Sequence, residues 1–565
     1  SYDLTRKYKE DLEKIRNYSE ETVNAIINND MIVHPLTSEM KEQDIDSTIE
    51  HSKAFYNELT EKLLEFYRSI ITECMSVLEI QNCKYRFAIM ALGSLSRKEV
   101  SAYSDIEWAI LFDPMGQPVE QVKTELRMLV YYVHLQVLNL GETILNNLDI
   151  PVLTDFNDRL PRNMTDVDFW DKVTTRGVSF DGTHPSASKT PIGRKSRKDL
   201  TKPVTLELIM TTEEMTKYQS IDASLKEGYR LGDVLMNSTL ITGDETPWHE
   251  YNEKVHSILG SPSKNPNVSI GTERGLKTLN DDLDKYAKNP LTGKSFRQDV
   301  HTKHNVYRLA TISINILKLI HGCKSFAPLD VLEELFQKGI LNERAKKDLQ
   351  MMVCIATNLR HMVYSKYKEQ KELVSFLSSE TKNVTLDSKT VLPVRGYTAI
   401  ILFYTIFMSW SKFLISQKSN TKWIHKDKYM EDSNEIKIML YKDMYFSERA
   451  LSAYKSELNK LKNKGITGNE KEIASLQNNI GSLYQTCGKY DKALQFHADS
   501  LAMSKKIHGS DAHPDVALSL NNIGAVHDAQ GEYTTAMKYY KDSLSMCRKI
   551  YGSDAHPDVA RSLNN

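Results

Sequence analysis

The sequence predicts a multidomain α+β protein, with a short α/β core set between helical segments and a C-terminal α-solenoid. Three observations carry this expectation. The chain has 565 residues, and soluble domains mostly run to about 100–200 residues, so three or four domains are expected. Around residues 85–112 the apolar spacing changes from the three-and-four pattern of helices to short β-rich runs. From about residue 446 onward the chain repeats itself.

Residues 1–80 carry helical spacing. The runs "DLTRKYKEDLEKIRNY" and "EHSKAFYNELTEKLLEFYRSIITECMSVLEI" place apolar residues three and four apart among charges, which predicts a helical lead-in. Residues 81–203 form the α/β unit. There "YRFAIMALGS" and "DIEWAILFDP" predict strands ended by Gly or Pro, and "VEQVKTELRMLVYYVHLQVLNLG" predicts a long helix closed by Gly141. "ETILNNLDIPVL" predicts a further strand. Residues 155–200 lack a steady period, so they read as an open insertion or as a loop that folds around a ligand.

Helical patterns return over residues 204–420, as in "EEMTKYQSIDASLKEGYRLGDVLM" and "FRQDVHTKHNVYRLATISINILKLIHG", and predict a helical bundle domain. Its most apolar run, Gly396–Trp410, is shorter than the ~20 residues of a membrane span and is interrupted by Tyr, Thr and Ser. A buried core helix and no membrane partner are therefore expected. Residues 421–445 read as a polar linker.

Residues 446–565 form the solenoid. "GSDAHPDVALSLNNIG" begins at Gly509 and "GSDAHPDVARSLNN" at Gly552, a period of 43 residues, and the unit Asn478–Ile507 recurs as Asn521–Ile550 at the same offset. Gly481 and Ala493 are small enough to let two helices approach, with Tyr484, Tyr490 and Leu494 expected in the seam. One helix pair cannot bury its face alone, so the pairs stack. These units resemble tetratricopeptide repeats of the kinesin-light-chain type, whose unit is usually one residue shorter. The resemblance implies a concave groove that binds peptides or proteins. The sequence stops at Asn565 inside a further unit, so more repeats are expected in the natural protein.

Lys+Arg total 73 and Asp+Glu 74, a formal net charge of -1, so no global basic field points to nucleic acid or an anionic membrane. Apolar residues at 40% and charged residues at 26% exclude a disordered chain. Six scattered cysteines without a CxxC spacing predict free thiols in a reducing compartment rather than a disulfide framework or a zinc site. The chain opens without Met and without an apolar leader, and a cytoplasmic location is expected.

The chemistry concentrates in "ALGSLSRKEVSAYSDIEWAILF", Ala91–Phe112. Asp105 and Glu107 are two apart, so on a strand both carboxylates share one face at the strand mouth. Beside a Gly93-Ser94 turn that exposes backbone N–H and a hydroxyl, such a pair can hold Mg²⁺ while the turn holds a triphosphate. Phosphoryl and nucleotidyl transfer need those parts: charge neutralisation, a cradle and alignment. The bland alternative for such a pair is a solvated acidic edge.

The run resembles the signature of nucleotidyltransferases of the DNA-polymerase-β-like superfamily, in particular PII uridylyltransferase and glutamine synthetase adenylyltransferase. In those, Gly-Gly or Gly-Ser is followed by Arg, Glu and then Ser/Thr-Asp-x-Asp. Gly93, Ser94, Arg97, Glu99, Ser104, Asp105 and Glu107 fall at matching offsets. The resemblance implies a polymerase-β-like α/β core in which Gly93 and Ser94 contact the nucleotide phosphates, with Arg97 and Ser104 in the same nucleotide-binding turn. It further implies that Asp105 and Glu107 bind two Mg²⁺, which Mn²⁺ can replace, and that Arg97 and Glu99 brace the turn. Ser96 and Lys98 depart from the pattern by replacing glycines beside Arg97, and Glu107 stands where Asp is usual.

The superfamily's third carboxylate is not fixed by the sequence. Glu142, Asp149 and Asp181 compete, with Glu142 and Asp181 favoured as catalytic candidates. Lys189, Arg194, Lys195, Arg197 and Lys198 form a basic cluster that is either a solvated loop or, through Lys189 or Arg194, a phosphate clamp. The stretches "EGYRLGDVLMNSTLITGDETPWHEY" and "RQDVHTKHNVYRLATISINILKL", the latter with a K-x-x-x-Y-R pattern, resemble helical segments that follow the catalytic domain in these enzymes, so the resemblance spans about residues 80–420. His301 and His304 are three apart without a third ligand and are read as a packed helix face. No Walker A, GxSxG or Cys-His nucleophile signature is present.

The expected function is Mg²⁺-dependent transfer of an NMP from an NTP to an acceptor, a protein hydroxyl, with the repeats recruiting that protein. Two alternatives use the same residues: a catalytically silent scaffold acting through its repeats, and synthesis of a small nucleotide signal or modification of RNA ends.

Overall fold

The computed structural model describes residues 2–31, 41–141, 191, 206–223, 231–286, 299–370, 373–375, 394–430, 447–508 and 512–552. The chain divides into two compact units, Ser1–Pro290 with Asp299–Glu431, and Leu291–Gln298 with Asp432–Asn565.

The first unit opens with two long helices, α1 (Tyr2–Ala25) and α2 (Glu42–Val77), as the lead-in spacing predicts. A four-stranded mixed sheet follows, built from β1 (Arg86–Ala91), β2 (Trp108–Asp113), β3 (Ile209–Met210) and β4 (Thr239–Gly243) in the order β3-β2-β1-β4. β1 runs antiparallel to both β2 and β4, and β2 runs parallel to β3. A single helical turn, α3 (Gly93–Ser96), leaves β1, and α4 (Val119–Asn139) follows β2. Gly141 lies just beyond α4 at φ 79°, the left-handed closure expected of a terminal glycine.

β1 and β2 read as continuous apolar runs because both sheet faces are covered. On one face Ala88, Met90, Ala109, Leu111 and Leu208 pack with Met215, Leu235 and Tyr251. Those three side chains belong to α5 (Thr212–Thr216), α6 (Leu231–Leu235) and α7 (Glu245–Gly260). The residues of alternate parity, Phe87, Ile89, Trp108, Ile110 and Phe112, are buried as well. From α2, Arg68 Nε donates to the Ile241 carbonyl of β4 at 2.8 Å.

The sequence reading placed residues 204–420 in a separate helical domain, and the sheet corrects that boundary. β3 and β4 both come from beyond residue 203, so the division passes through one compact unit. β4, "TLITG", lies between helical stretches and is too short to show a period of its own. The strand expected over 142–153 and the loop over 155–200 lie outside the described residues, apart from Pro191.

The remaining helices of this unit are α8 (Ile270–Tyr286), α9 (Arg308–His321), α10 (Pro328–Gln337), α11 (Glu343–Tyr367) and α12 (Val394–Ser416). β5 (Asp299–His301) pairs antiparallel with β6 (Leu373–Ser375). His301 ends β5 and His304 lies in the π-helical turn Thr302–Tyr307, so the two histidines do not share a helix face as the spacing predicted. α12 runs to 23 residues, longer than the apolar run quoted from the sequence. Its Ala399–Ser416 window is long and apolar enough to cross a membrane by length and composition, yet 78% of it is buried inside the protein. Phe403, Tyr404 and Trp410 are fully buried, and Trp410 Nε1 donates to Ser313 Oγ of α9 at 2.8 Å. α12 is the core helix that the sequence predicts. All six cysteines are free thiols.

The second unit is a run of antiparallel neighbours: α13 (Ser447–Lys464), α14 (Glu470–Thr486), α15 (Tyr490–His508), α16 (Pro514–Ala529) and α17 (Tyr533–Tyr551), each packed on the next. Gly481, Tyr484 and Ala493 are buried at the α14–α15 seam, whereas Tyr490 and Leu494, also expected there, are half-buried. The seam is filled by His497, which is 0% exposed. A Cβ on Gly481 would stand 2.7 Å from the His497 ring, so this glycine is what lets the helices close. One period later Gly524 meets Tyr540 in the same way, at 2.9 Å.

Candidate functional site

At the end of β1, Leu92 N–H donates to the Glu107 carbonyl at 2.8 Å and ties the two strands together at their mouth. Gly93 then takes φ 59°, in the left-handed region that glycine enters without penalty. A Cβ there would stand 1.2 Å from Glu107 Oε2, so only glycine lets the Glu107 carboxylate lie over the turn. Ile106 is buried between half-buried Asp105 and Glu107, which fits the alternation expected of an extended segment. Gly93 and Glu107 thus meet at one strand mouth, with Ser94 next to Gly93 in the chain and Asp105 two residues before Glu107.

The turn is braced from within. The Ser94 carbonyl accepts from Glu99 N–H at 2.9 Å, and Arg97 Nε donates to Glu99 Oε2 at 2.8 Å. Glu99 is only 2% exposed. Burial works against the Arg97 charge, but Glu99, then Tyr307 and Glu107, outweigh it and hold the guanidinium more firmly charged than usual. Tyr307, from the K-x-x-x-Y-R stretch, is itself pushed up by burial and by Glu99. The Arg360 guanidinium of α11 lies 4.5 Å from the Tyr307 ring centroid. The sequence reading noticed the pattern around Tyr307 but not Arg360, which sits in a stretch of α11, Asp348–Ser365, that is buried on every side and has nothing local to mark it.

Gln370, just beyond α11, was also missed. Its Nε2 donates to Asp105 Oδ1 and, at 2.7 Å, to the Tyr103 carbonyl. Ser104 is buried, and its hydroxyl is used inside its own turn, accepting from Ser101 N–H at 3.1 Å and facing Ser101 Oγ at 3.2 Å. Lys98, where the family pattern carries glycine, keeps the left-handed backbone at φ 57° and donates from Nζ to Asn57 Oδ1 at 2.8 Å.

Sheet register settles one carboxylate near the site. Ile110 pairs with Ile209 and Leu111 with Met210, so Leu208 and Met210 share the face of Ala109 and Leu111, and hence of Glu107 and Asp105. Glu207 takes the opposite face, where its two oxygens accept from Arg127 of α4 at 2.7 and 2.9 Å. The described part of β3 therefore offers apolar side chains on the Asp105/Glu107 face. Glu142, Asp149, Asp181, Lys189, Arg194, Lys195, Arg197 and Lys198 lie outside the described residues.

Behind the turn, Ser96, Lys98, Thr239, Lys324 and Phe326 line an open cleft of about 600 Å³. Lys318 is buried beside it, 4.4 Å from the Phe326 ring centroid, and donates to Asn237 Oδ1 at 2.6 Å. Burial lowers its pKa to about 7.

The second unit belongs to the helical-repeat class, each helix pair stacking on its neighbour. Residues 472–549, which take in α15, α16 and most of α14 and α17, match the tetratricopeptide repeat family. Among solved structures, BtubC (BKLC) from P. vanneervenii is similar at 15% identity and a TM-score of 0.21, with 51% of this chain and 94% of that chain covered. No curated protein matches the chain. Tetratricopeptide repeats generally mediate protein–protein interaction, and that role is the one the family match supports.

Proposed function

We propose that the chain is a Mg²⁺-dependent nucleotidyltransferase whose tetratricopeptide repeats recruit the protein it modifies. The observation that carries this reading is the left-handed Gly93 turn packed against the Glu107 carboxylate, with Asp105 two residues earlier on the same strand mouth. Two half-buried carboxylates on one face are a donor set that suits a hard divalent cation. Asp105 and Glu107 would hold the Mg²⁺ ions, or Mn²⁺ in their place, and when bound the ions neutralise the triphosphate and align it with the acceptor.

The residues of the chain supply the rest. Backbone N–H groups of the Gly93-Ser94 turn cradle phosphate oxygens, and Arg97, kept charged by Glu99, sets a positive potential beside them. Tyr307 lies beside the Arg97–Glu99 pair with Arg360 over its ring, and Gln370 orients Asp105. An acceptor hydroxyl forms the new O–P bond at the α-phosphorus as the bond to pyrophosphate breaks and the hydroxyl proton leaves to solvent.

The test is label transfer from α-³²P-NTP by the full chain. Asp105→Asn should reduce transfer by about a hundredfold or more while repeat-mediated protein capture is unchanged. Full activity in that variant refutes the proposal. Mass spectrometry of products formed without added protein separates a protein acceptor from a small nucleotide or RNA end. The apolar Leu208 and Met210 on the Asp105 face of β3 favour a second reading, a silent scaffold. In that case calorimetry with ATP or UTP shows no binding that depends on both Mg²⁺ and Asp105.

A further inference from the structure

The connection between the two repeats carries a cluster that the proposed transfer reaction does not use. His508 is the last residue of α15, His513 is the N-cap of α16, and Asp515 is the second residue of α16. His508 Nε2 lies 3.3 Å and His513 Nδ1 3.6 Å from Asp515 Oδ2. One ligand atom from each of the three residues falls within 4.8 Å of the others. Two donors held about 2.0–2.1 Å from a tetrahedral zinc stand about 3.3 Å apart, so the three side chains are near enough to share one ion once their rings turn.

We propose that His508, His513 and Asp515 bind one divalent ion of the zinc class, with water completing the tetrahedron. Two imidazoles and one carboxylate favour Zn²⁺, Co²⁺ or Ni²⁺ over Mg²⁺ or Ca²⁺, which take oxygen ligands. The tautomers fit. His513 Nδ1 accepts from Asp515 N–H at 3.2 Å, so that nitrogen carries a lone pair, and coordination replaces this N-cap bond with the bond to the ion. His508 Nε2 faces the carboxylate as a donor, and on coordination its proton moves to Nδ1, leaving the Nε2 lone pair for the ion. The two rings are stacked at 3.2 Å and 8°. In-plane lone pairs of parallel rings cannot meet at one ion, so binding opens the stack by rotation of the side chains.

The position is particular to this connection rather than general to the repeat. One period on, His513 and Asp515 recur as His556 and Asp558, but His508 becomes Tyr551. One period back, Gly465, Glu470 and Glu472 stand at the three places. A bound ion would tie the end of one repeat to the start of the next, converting a connection closed by hydrogen bonds into one closed by coordination.

The test uses the full chain, stripped of metal, with Zn²⁺ calorimetry and Co²⁺ absorption in the d–d region. His508→Tyr places there the residue that the next unit carries, and Asp515→Asn keeps shape while removing the charge. Wild type should bind one Zn²⁺ that excess Mg²⁺ does not displace, and show the intense absorption of tetrahedral Co²⁺. Each variant should weaken that site by about a hundredfold with helical circular dichroism unchanged. Zn²⁺ binding of equal affinity and stoichiometry in both variants, or no binding by wild type at micromolar Zn²⁺, overturns the proposal.

Discussion

Replacing His497 by tyrosine should remove most of the acid sensitivity of the repeat seam. His497 is fully buried, its Nδ1 lies 2.7 Å from Asn478 Oδ1, and its Nε2 is buried with no hydrogen-bond partner among the described residues. Nδ1–H therefore donates to Asn478 and the ring is neutral. Burial lowers its pKa from 6.5 to about 4. Between those values the unfolded chain takes up a proton that the folded seam refuses, so stability rises with pH across the window from 4 to 6.5 and is level above it. At about 1.4 kcal/mol per pH unit the full span amounts to roughly 3 kcal/mol. Tyr540 occupies the equivalent place against Gly524, so the seam geometry accepts a tyrosine. Local stability is read by native-state hydrogen exchange of α14 and α15 peptides from about pH 4.5 to 7.5, corrected for intrinsic exchange rates. His134, His321, His361 and His425 also have pKa values lowered by burial, but they lie outside these peptides. An unchanged slope in His497→Tyr refutes the assignment of the pH dependence to this ring.

Two glycines give further tests. Gly93→Ala places a methyl on the Glu107 carboxylate and holds alanine at φ 59°, a conformation costing about 1–2 kcal/mol. It should lower the melting temperature and abolish Mg²⁺-dependent nucleotide binding by calorimetry, and a variant indistinguishable from wild type in both would count against the turn geometry. Gly481→Ala should destabilise the seam by about 1–3 kcal/mol through overlap with the His497 ring. Urea unfolding should recover most of that loss when His497→Ala is added, and no recovery would mean that the clash is elsewhere.

What the sequence disclosed follows from how local each signal is. The helical lead-in, the two strands around Gly93, the helix closed by Gly141 and the 43-residue period are written in short-range spacing, and all are present in the fold. The proximity of Gly93 to Glu107 was legible because the two strands are consecutive and pair antiparallel, with Gly93 leaving the first and Glu107 entering the second. β4 was not, since a five-residue edge strand between helices has no period and its partner, β1, lies well over a hundred residues earlier. Gln370 and Arg360 reach the site only through tertiary packing of α11, and nothing in their neighbours marks them. The seam residue His497 was passed over for Tyr490 and Leu494 because histidine is an unusual choice for a fully buried helix contact.

The pairing of β1 on both sides sets an order of events during synthesis. β2 follows β1 closely, but β4, which covers the other edge, is completed only at Gly243. At about 5–20 residues per second, that edge waits on the order of ten seconds for its partner. Both faces of β1 are apolar apart from Arg86, so the waiting strand is a template for unwanted pairing with other chains. A polypeptide ending at residue 203, which the sequence alone would offer as a complete α/β domain, leaves that edge permanently open, whereas one extending beyond α7 closes it.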